Sequence, residues 1–193
     1  MSDHGLAPEW RLENRTALPD TFRVLLAEYP REIWPEAEHF HGHVSFWLDR
    51  HLMFRRILDR LSDETEAVLD RRTDPDLFGR RLARLGSEFV NGLHGHHTIE
   101  DRHFFPVLAQ MAPQVGQGFT LLDADHQAID GVLQDFVERA NAALHAPPET
   151  RHDEIGRFRT GLSDLESLLD RHLQDEEELV VPVILKYGPD RLP

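Results

Sequence analysis

The sequence predicts an all-α protein built on an antiparallel, up-down-up-down four-helix bundle. Three observations indicate this fold. Apolar residues recur at helical spacing from residue 38 onward, prolines divide that region into long stretches, and no segment alternates as a strand would. The chain has 193 residues, which is enough to bury the core of one such domain. We therefore expect a bundle over residues 38–193, preceded by an N-terminal arm over residues 1–37.

The arm differs from the rest of the chain in holding four prolines and two of the three tryptophans. One short helix is expected from Asp20 to Tyr29, directly after Pro19. Large aromatic side chains such as Trp10 and Trp34 favour burial. We therefore expect the arm to pack on the domain.

The first two helices of the bundle are bounded by sequence signals. The first is expected from about residue 38 to about Arg72. Asp74 then provides a helix cap, and Pro75 stands at the first position of the second helix. Pro106 should kink or end this second helix, because proline lacks the backbone N–H that the helix needs.

The last two helices have weaker boundaries. Thr120-x-x-Asp123 resembles a capping box that would open the third helix. Pro147-Pro148 is expected to end the third helix and to start the fourth. The fourth helix reaches Pro182, where we expect a break.

The composition limits the classes of function. The chain contains no cysteine, which excludes disulfides, thiolate zinc sites and iron–sulfur clusters. A nucleic-acid partner is not expected, because the formal net charge is −14 and such a partner requires a basic face. An apolar leader and an apolar stretch of membrane-spanning length are both lacking, so no membrane association is expected. We expect a cytoplasmic protein, and the sequence identifies no protein partner.

A pair of metal-binding residue types occurs twice in the chain. His96 and Glu100 are four residues apart, and His172 and Glu176 repeat that spacing. In both copies a proline follows the glutamate by six residues. Residues four apart lie on one face of a helix, so each pair can bind a metal ion from a single helix.

Each pair is preceded by one further histidine, His51 in the first copy and His126 in the second. At about 1.5 Å per helical residue, the four histidines lie roughly 31–36 Å from the same end of an antiparallel bundle. A buried pair of carboxylates is costly unless a cation compensates it. We therefore predict a metal centre with six ligands: His51, His96, Glu100, His126, His172 and Glu176.

Several other residues are candidates for a secondary role. His97 pairs with Asp101 at the same spacing, but it corresponds to Leu173 in the repeat, so we expect at most an auxiliary ligand. His43 lies where solvated or capping histidines are common, and His103 could line the access route. A ligating imidazole is often oriented by a carboxylate that accepts a hydrogen bond from its other ring nitrogen. The candidates for this role are Asp101, Asp125 and Asp130. The aromatic residues near enough in sequence to form an apolar pocket are Phe46, Trp47, Phe54, Phe104 and Phe105.

These motifs resemble the hemerythrin / HHE cation-binding family over about residues 38–187. The resemblance rests on Phe46-Trp47-Leu48 with His51 and Phe54-Arg55, on His96-His97-x-x-Glu100-Asp101 with Phe105-Pro106-x-Leu108, on Asp125-His126, and on His172-x-x-x-Glu176-Glu177 with Val181-Pro182. It implies a hemerythrin-like bundle with a non-haem centre of two iron ions joined by an oxo or hydroxo bridge. Glu100 and Glu176 would bridge the ions, and the four histidines would be terminal ligands.

One position departs from the family pattern. Hemerythrins proper carry two histidines four apart on the third helix, and the earlier position here is Leu122. A fifth histidine would have to come from elsewhere, such as His97 or His43.

The expected function follows from the donor set and the resemblance. Imidazole and carboxylate donors suit iron, with manganese or zinc as alternatives. The resemblance implies a protein that binds or senses dioxygen, nitric oxide or iron, so the expected ligand is a small diatomic molecule or peroxide. Two alternatives stay open. One is an enzyme that consumes peroxide or reduces a small oxidant, with His103 or Tyr187 as proton donor. The other is a regulatory module in which the metal state changes how the arm docks.

Overall fold

The computed structural model describes residues 7–193 of the chain. Within that range it contains six α-helices and no β-strand, so the prediction of an all-α protein is confirmed. The helices are Val24–Glu28 (α1), Ser45–Leu69 (α2), Pro75–Ile99 (α3), Phe105–Met111 (α4), Gly116–His145 (α5) and Pro148–Tyr187 (α6). Four of them, α2, α3, α5 and α6, are 25 to 40 residues long. No described helix is both long and apolar enough to cross a membrane.

The start of α2 lies later than the sequence indicated. The chain bends within Phe40–Val44, where Gly42 has φ +89°, a conformation that L side chains rarely adopt. The helix therefore begins at Ser45. The predicted cap of α3 is confirmed, because Oδ1 of Asp74 accepts hydrogen bonds from the backbone N–H groups of Asp76 and Leu77 at 3.0 and 2.9 Å.

The predicted interruption by Pro106 is also confirmed. After α3 the chain widens into a π-turn over Glu100–Phe104, and Pro106 stands in the first turn of α4. The wide turn removes the need for the backbone N–H that Pro106 lacks. Its first residue is Glu100, so the interruption lies beside a predicted ligand.

Two other boundary predictions are wrong. Thr120 does not open the third helix, because a 3₁₀ turn at Pro113–Val115 leads directly into α5 at Gly116. Pro182 does not break α6, which continues to Tyr187. An interior proline removes one backbone hydrogen bond. Here its neighbours Val181 and Val183 are fully buried, and their packing stabilises the continuous helix.

The chain divides into two compact units. The second unit comprises residues 52–95 and 129–169. Its core contains four buried phenylalanines whose neighbouring ring centroids lie 5.4 to 6.2 Å apart: Phe54, Phe89, Phe136 and Phe158.

The first unit comprises residues 1–51, 96–128 and 170–193, described from residue 7. Arm side chains form part of its core: Phe22 and Trp34 are buried in one apolar cluster with Phe119 and Leu179. The expected short helix of the arm is a 3₁₀ turn at Asp20–Phe22 followed by α1. The division of the chain into domains at residue 37 stays a prediction.

Candidate metal centre

All six predicted ligands lie in the first unit, where four helices and the π-turn bring them together. His51 lies on α2, His96 on α3, Glu100 at the start of the π-turn, His126 on α5, and His172 and Glu176 on α6. They form parts of two groups whose donor atoms lie within 4.8 Å of one another. The first group is His51, His96, Glu100 and Glu176; the second is His97, His126 and His172.

Glu100 and Glu176 belong to the first group, and each also approaches a histidine of the second group. Oε1 of Glu100 is 2.8 Å from Nε2 of His96, and its Oε2 is 3.7 Å from Nε2 of His126. Oε1 of Glu176 is 3.3 Å from Nε2 of His51, and its Oε2 is 3.3 Å from Nε2 of His172. Each carboxylate thus directs one oxygen at each group, which is the arrangement that lets a carboxylate bridge two cations.

Most of these inward-facing atoms lack a hydrogen-bond partner among the described residues. They are both oxygens of Glu100, Oε2 of Glu176 and Nε2 of His126 and His172, and all are buried. A buried polar atom without a partner costs about 1–3 kcal/mol. Bound cations would satisfy all of these donors at once, so the residues fit a metal centre.

The outer nitrogens of three histidines are held by a second set of carboxylates. The Nδ1 atoms of His51, His126 and His172 lie 3.1, 2.7 and 3.3 Å from oxygens of Glu177, Asp101 and Asp125, respectively. An Nδ1–H that donates to a carboxylate leaves the Nε2 lone pair facing inward, where a metal can accept it. These contacts orient three proposed ligands.

The predicted orienting residues are placed as follows. Asp101 and Asp125 make the expected contacts, whereas Asp130 is exposed. Sequence reasoning did not assign this role to Glu177. Its position next to Glu176 in the sequence could have indicated this role. Consecutive residues on a helix point in directions about 100° apart, so both side chains can reach the metal centre.

His97 occupies a more central place than the repeat indicated. Its side chain is buried, its ring stacks on His126 with 3.8 Å between the centroids, and neither of its nitrogens has a hydrogen-bond partner among the described residues. The comparison with Leu173 favoured an auxiliary role for His97. The structure instead places it in one group with His126 and His172.

The remaining histidine candidates lie outside both groups. The ring of His43 meets the edge of Phe104 with 6.5 Å between the centroids. His103 is exposed. Tyr187 is 43% exposed, and its hydroxyl accepts a hydrogen bond from Gln114 at 3.0 Å.

Aromatic residues cover part of the centre. The Nε1–H of Trp47 donates to Oε1 of Glu176, and the Trp47 ring meets Phe104 edge-on at 4.9 Å. Phe105 stacks against His126 at 5.5 Å. Two predicted pocket residues are elsewhere. Phe46 is 65% exposed, and Phe54 belongs to the core of the second unit.

Burial and close contacts shift the protonation of the centre. Burial lowers the pKa of His172, but the nearby carboxylates of Asp125 and Glu176 outweigh it and raise the pKa to about 9. Burial lowers the pKa of His96 to about 3. Burial and the nearby carboxylate of Glu176 raise the pKa of Glu100 well above its ordinary value. Without metal, a proton therefore occupies His172 at neutral pH.

Two arginines of the N-terminal arm, here termed the N-terminal segment and described over residues 7–37, reach the outer carboxylates, and the sequence indicated neither. Arg15 is buried and donates to both oxygens of Asp125 and to Asp175. Arg31 donates to Oε2 of Glu177 at 2.8 Å. No spacing rule links these arginines to the helices, so only the folded path of the segment shows the contacts.

One comparison with known proteins, that with protein-family models, agrees with this geometry. No curated protein and no solved structure matches the chain significantly. The family model of the hemerythrin HHE cation-binding domain matches residues 42–184, which include every residue of both donor groups. The match covers well over half of the chain. The chain therefore belongs to the hemerythrin HHE cation-binding domain family.

Proposed function

We propose that this chain is a non-haem di-iron protein that binds or senses dioxygen, nitric oxide or iron. The proposed ligands are His51, His96, Glu100, His126, His172 and Glu176, with His97 added from the structure. The small molecule bound would be diatomic or a peroxide.

The bridging placement of Glu100 and Glu176 is the observation that carries the proposal. Each glutamate places one oxygen 2.8 to 3.7 Å from a histidine nitrogen in each donor group. Oε1 of Glu176 accepts a hydrogen bond from Trp47, whereas both oxygens of Glu100 and Oε2 of Glu176 have no hydrogen-bond partner among the described residues. A single cation would leave one oxygen of Glu100 unpaired, and two cations would satisfy both, so the arrangement supports a dinuclear centre.

The donor set supports iron as the metal. Imidazole and carboxylate without thiolate is a donor set suited to iron, and manganese or zinc can also accept it. When bound, two iron ions would supply one-electron redox chemistry and an open position for a small ligand. The chain's own contribution is to hold the imidazoles in one tautomer and to exclude bulk water with Trp47 and Phe105.

His97 is proposed as a ligand of the second group because neither nitrogen of its buried ring has a hydrogen-bond partner among the described residues. Burial and the nearby imidazoles of His126 and His172 hold its pKa well below the ordinary value, so the ring is neutral. Neutral imidazole is the form that binds metal. This assignment supplies the fifth histidine that Leu122 does not provide.

We further propose that α2, α3, α5 and α6 form an antiparallel up-down-up-down bundle. Contacts within the second unit support opposite directions for neighbouring helices. Phe54 packs at Gly92 whereas Glu64 pairs with Arg81, so residue numbers rise on α2 as they fall on α3. The same relation holds for α3 with α5, where Gly79 faces Leu144 and Gly86 faces Phe136. It also holds for α2 with α6, where Glu66 pairs with Arg159 and the Leu69 carbonyl lies 3.3 Å from His152.

Anaerobic loading with ferrous iron tests the proposal. The loaded protein would be titrated separately with dioxygen, nitric oxide and hydrogen peroxide, with absorption and Mössbauer spectra recorded at each step. We expect two iron sites per chain and a spectral change that reverses when dioxygen or nitric oxide is removed. Rapid catalytic loss of peroxide without any reversible complex would favour the enzyme alternative.

A further inference from the structure

We propose that the N-terminal segment is an integral layer of the metal centre, in which Arg15 and Arg31 position two histidine ligands through carboxylates. This inference rests on the proposed metal site and goes beyond it. It makes docking of the segment and binding of metal two coupled events. The segment concerned precedes residues 42–184, which the family model matches.

The first connection runs from Arg15 through Asp125 to His172. The guanidinium of Arg15 donates to both oxygens of Asp125, and Oδ2 of Asp125 lies 3.3 Å from Nδ1 of His172. All three side chains are buried. Arg15 also donates from Nε to Asp175 at 2.8 Å and from Nη1 to the Trp10 carbonyl at 2.9 Å. The arginine is therefore held by groups of the segment and of α6.

The second connection runs from Arg31 through Glu177 to His51. Nη1 of Arg31 lies 2.8 Å from Oε2 of Glu177, and Oε1 of Glu177 lies 3.1 Å from Nδ1 of His51. Nη2 of Arg31 donates to the backbone carbonyl of Gln174 at 3.2 Å, and its guanidinium lies over the Trp34 ring. The side chain of Arg31 is 36% exposed, against 3% for Arg15. Solvent screening should make this connection the weaker of the two.

The two connections end in different donor groups. His51 belongs to the first group and His172 to the second. One segment of the chain thus acts on both proposed metal positions. Two unrelated surface ion pairs would not be expected to end on the outer nitrogens of two inward-facing histidines.

The physical role of each arginine follows from the tautomer that a metal-binding imidazole must adopt. A ligating Nε2 must carry a lone pair, so Nδ1 must carry the proton and donate it to an acceptor. A guanidinium that is hydrogen-bonded to the acceptor carboxylate fixes the orientation of that carboxylate. Loss of such a partner of a metal ligand typically lowers metal affinity about 10–100-fold. Arg15 and Arg31 are therefore positioning residues.

Coupling makes the relation reciprocal. If a docked segment strengthens metal binding by a given factor, metal strengthens docking of the segment by the same factor. The segment contains four arginines that trypsin can cut after: Arg11, Arg15, Arg23 and Arg31. Metal should therefore slow tryptic cleavage within the segment.

The affinity test uses Co²⁺ as the probe, measured by competition with a chelator and by its visible spectrum. We expect Arg15→Gln to weaken binding about 10–100-fold, Arg31→Gln to weaken it less, and Arg15→Lys to restore part of the loss. Arg11→Gln is the matched control, since Arg11 is an exposed arginine of the same segment. Combining Arg15→Gln with Asp125→Asn should cost less than the sum of the single changes, because Arg15 acts through Asp125. The Co²⁺ spectrum should shift in Arg15→Gln and stay unchanged in Arg11→Gln.

The proteolysis test needs only the wild-type chain, so it holds even if a variant fails to fold. Metal-bound protein should be cut within the segment more slowly than metal-free protein. Equal cutting rates, or unchanged Co²⁺ affinity in Arg15→Gln, would overturn this inference while leaving the metal site intact. A wild-type chain that binds no Co²⁺, Fe²⁺ or Zn²⁺ would overturn the proposed function together with this inference.

Discussion

The imidazole of His97 lies face to face with that of His126, with 3.8 Å between the ring centroids and 8° between the ring planes. Both rings are buried, and His172 meets the edge of each. These three imidazoles are in contact, and each has at least one nitrogen without a hydrogen-bond partner among the described residues. Together they form a nitrogen-rich half of the candidate centre. The other half contains two histidines and both glutamates. The two proposed metal positions are therefore chemically different.

His97→Leu tests this asymmetry. We expect the variant to fold and to retain the ion of the first group, but to lose the second ion or to bind it at least about tenfold more weakly. Leucine fills a similar buried volume and brings no unpaired nitrogen, so the metal-free variant should be at least as stable as the wild type. Metal content per chain and thermal unfolding would be measured.

The control for His97→Leu is His94→Leu, an exposed histidine on the same helix. It should leave metal content unchanged. Two tightly held ions in His97→Leu would show that His97 is a packing residue and that the repeat was the better guide.

The sequence predicted the site far better on the helices than outside them. Spacing of four on a helix fixes a common face, and this is why His96 with Glu100 and His172 with Glu176 lie as expected. The structure places His97 nearer the other donors than the repeat indicated, because the rotation of α3 about its axis depends on packing, which no repeat within one chain can fix. Arg15 was missed because an irregular segment has no periodicity from which its path could be inferred.

Boundaries between helices were predictable only where local chemistry decided them. Asp74 caps α3 through its own side chain. The residue type and its position in the sequence were therefore enough to predict the contact. Pro182 was expected to break α6, but the burial of Val181 and Val183 outweighs the loss of one backbone hydrogen bond. Such a balance depends on tertiary packing.

Glu100→Gln should separate metal binding from stability. Both oxygens of Glu100 are buried without hydrogen-bond partners among the described residues, and burial raises the pKa of its carboxyl well above the ordinary value. A neutral amide of the same size removes the tendency to ionise in the core. We expect the metal-free variant to be more stable than the metal-free wild type by about 1–3 kcal/mol.

The same Glu100→Gln variant should bind metal poorly, because an amide cannot bridge two cations as a carboxylate does. Denaturant unfolding with and without Zn²⁺ would measure both effects. Lower stability of the metal-free variant would mean that Glu100 serves the fold rather than the metal.

Trp47 should report metal binding through its fluorescence. Its Nε1–H donates to Glu176, a proposed bridging ligand, and its ring lies 6.0 Å from that of His96. A paramagnetic ion bound by Glu176 and His96 should therefore quench the indole fluorescence strongly. Trp47→Phe should remove most of the quenching produced by Fe²⁺ or Co²⁺.

Trp34→Phe is the matched control for the fluorescence measurement. Trp34 is equally buried, but its Nε1–H donates to the backbone carbonyl of Tyr29. This variant should keep the metal-induced quenching. Equal quenching in Trp47→Phe and in the wild type would place the ion away from Glu176.

The pH dependence should have opposite signs for metal affinity and for the stability of the metal-free protein. Burial lowers the pKa of His172, but contacts with Asp125 and Glu176 outweigh it and raise the pKa to about 9, from an ordinary value of 6.5. A raised folded-state pKa contributes stability that is full below pH 6.5 and is lost as the pH rises through 9. The metal-free protein should therefore become less stable across this interval.

Metal must displace the same proton from His172. The apparent affinity should thus rise about tenfold per pH unit per proton displaced up to pH 9. Chelator competition with Co²⁺ between about pH 6.5 and 8.5, together with thermal unfolding of the metal-free protein, measures both trends. Affinity that is independent of pH would show that His172 carries no proton in the metal-free site.

The most direct test of the di-iron centre is metal content per chain after purification with neither added metal nor chelator. The wild type grown with ample iron should carry about two irons per chain, and a variant combining Glu100→Ala with Glu176→Ala should carry almost none. One ion per chain, zinc alone, or full metal content in the double variant would contradict a dinuclear iron centre bridged by Glu100 and Glu176.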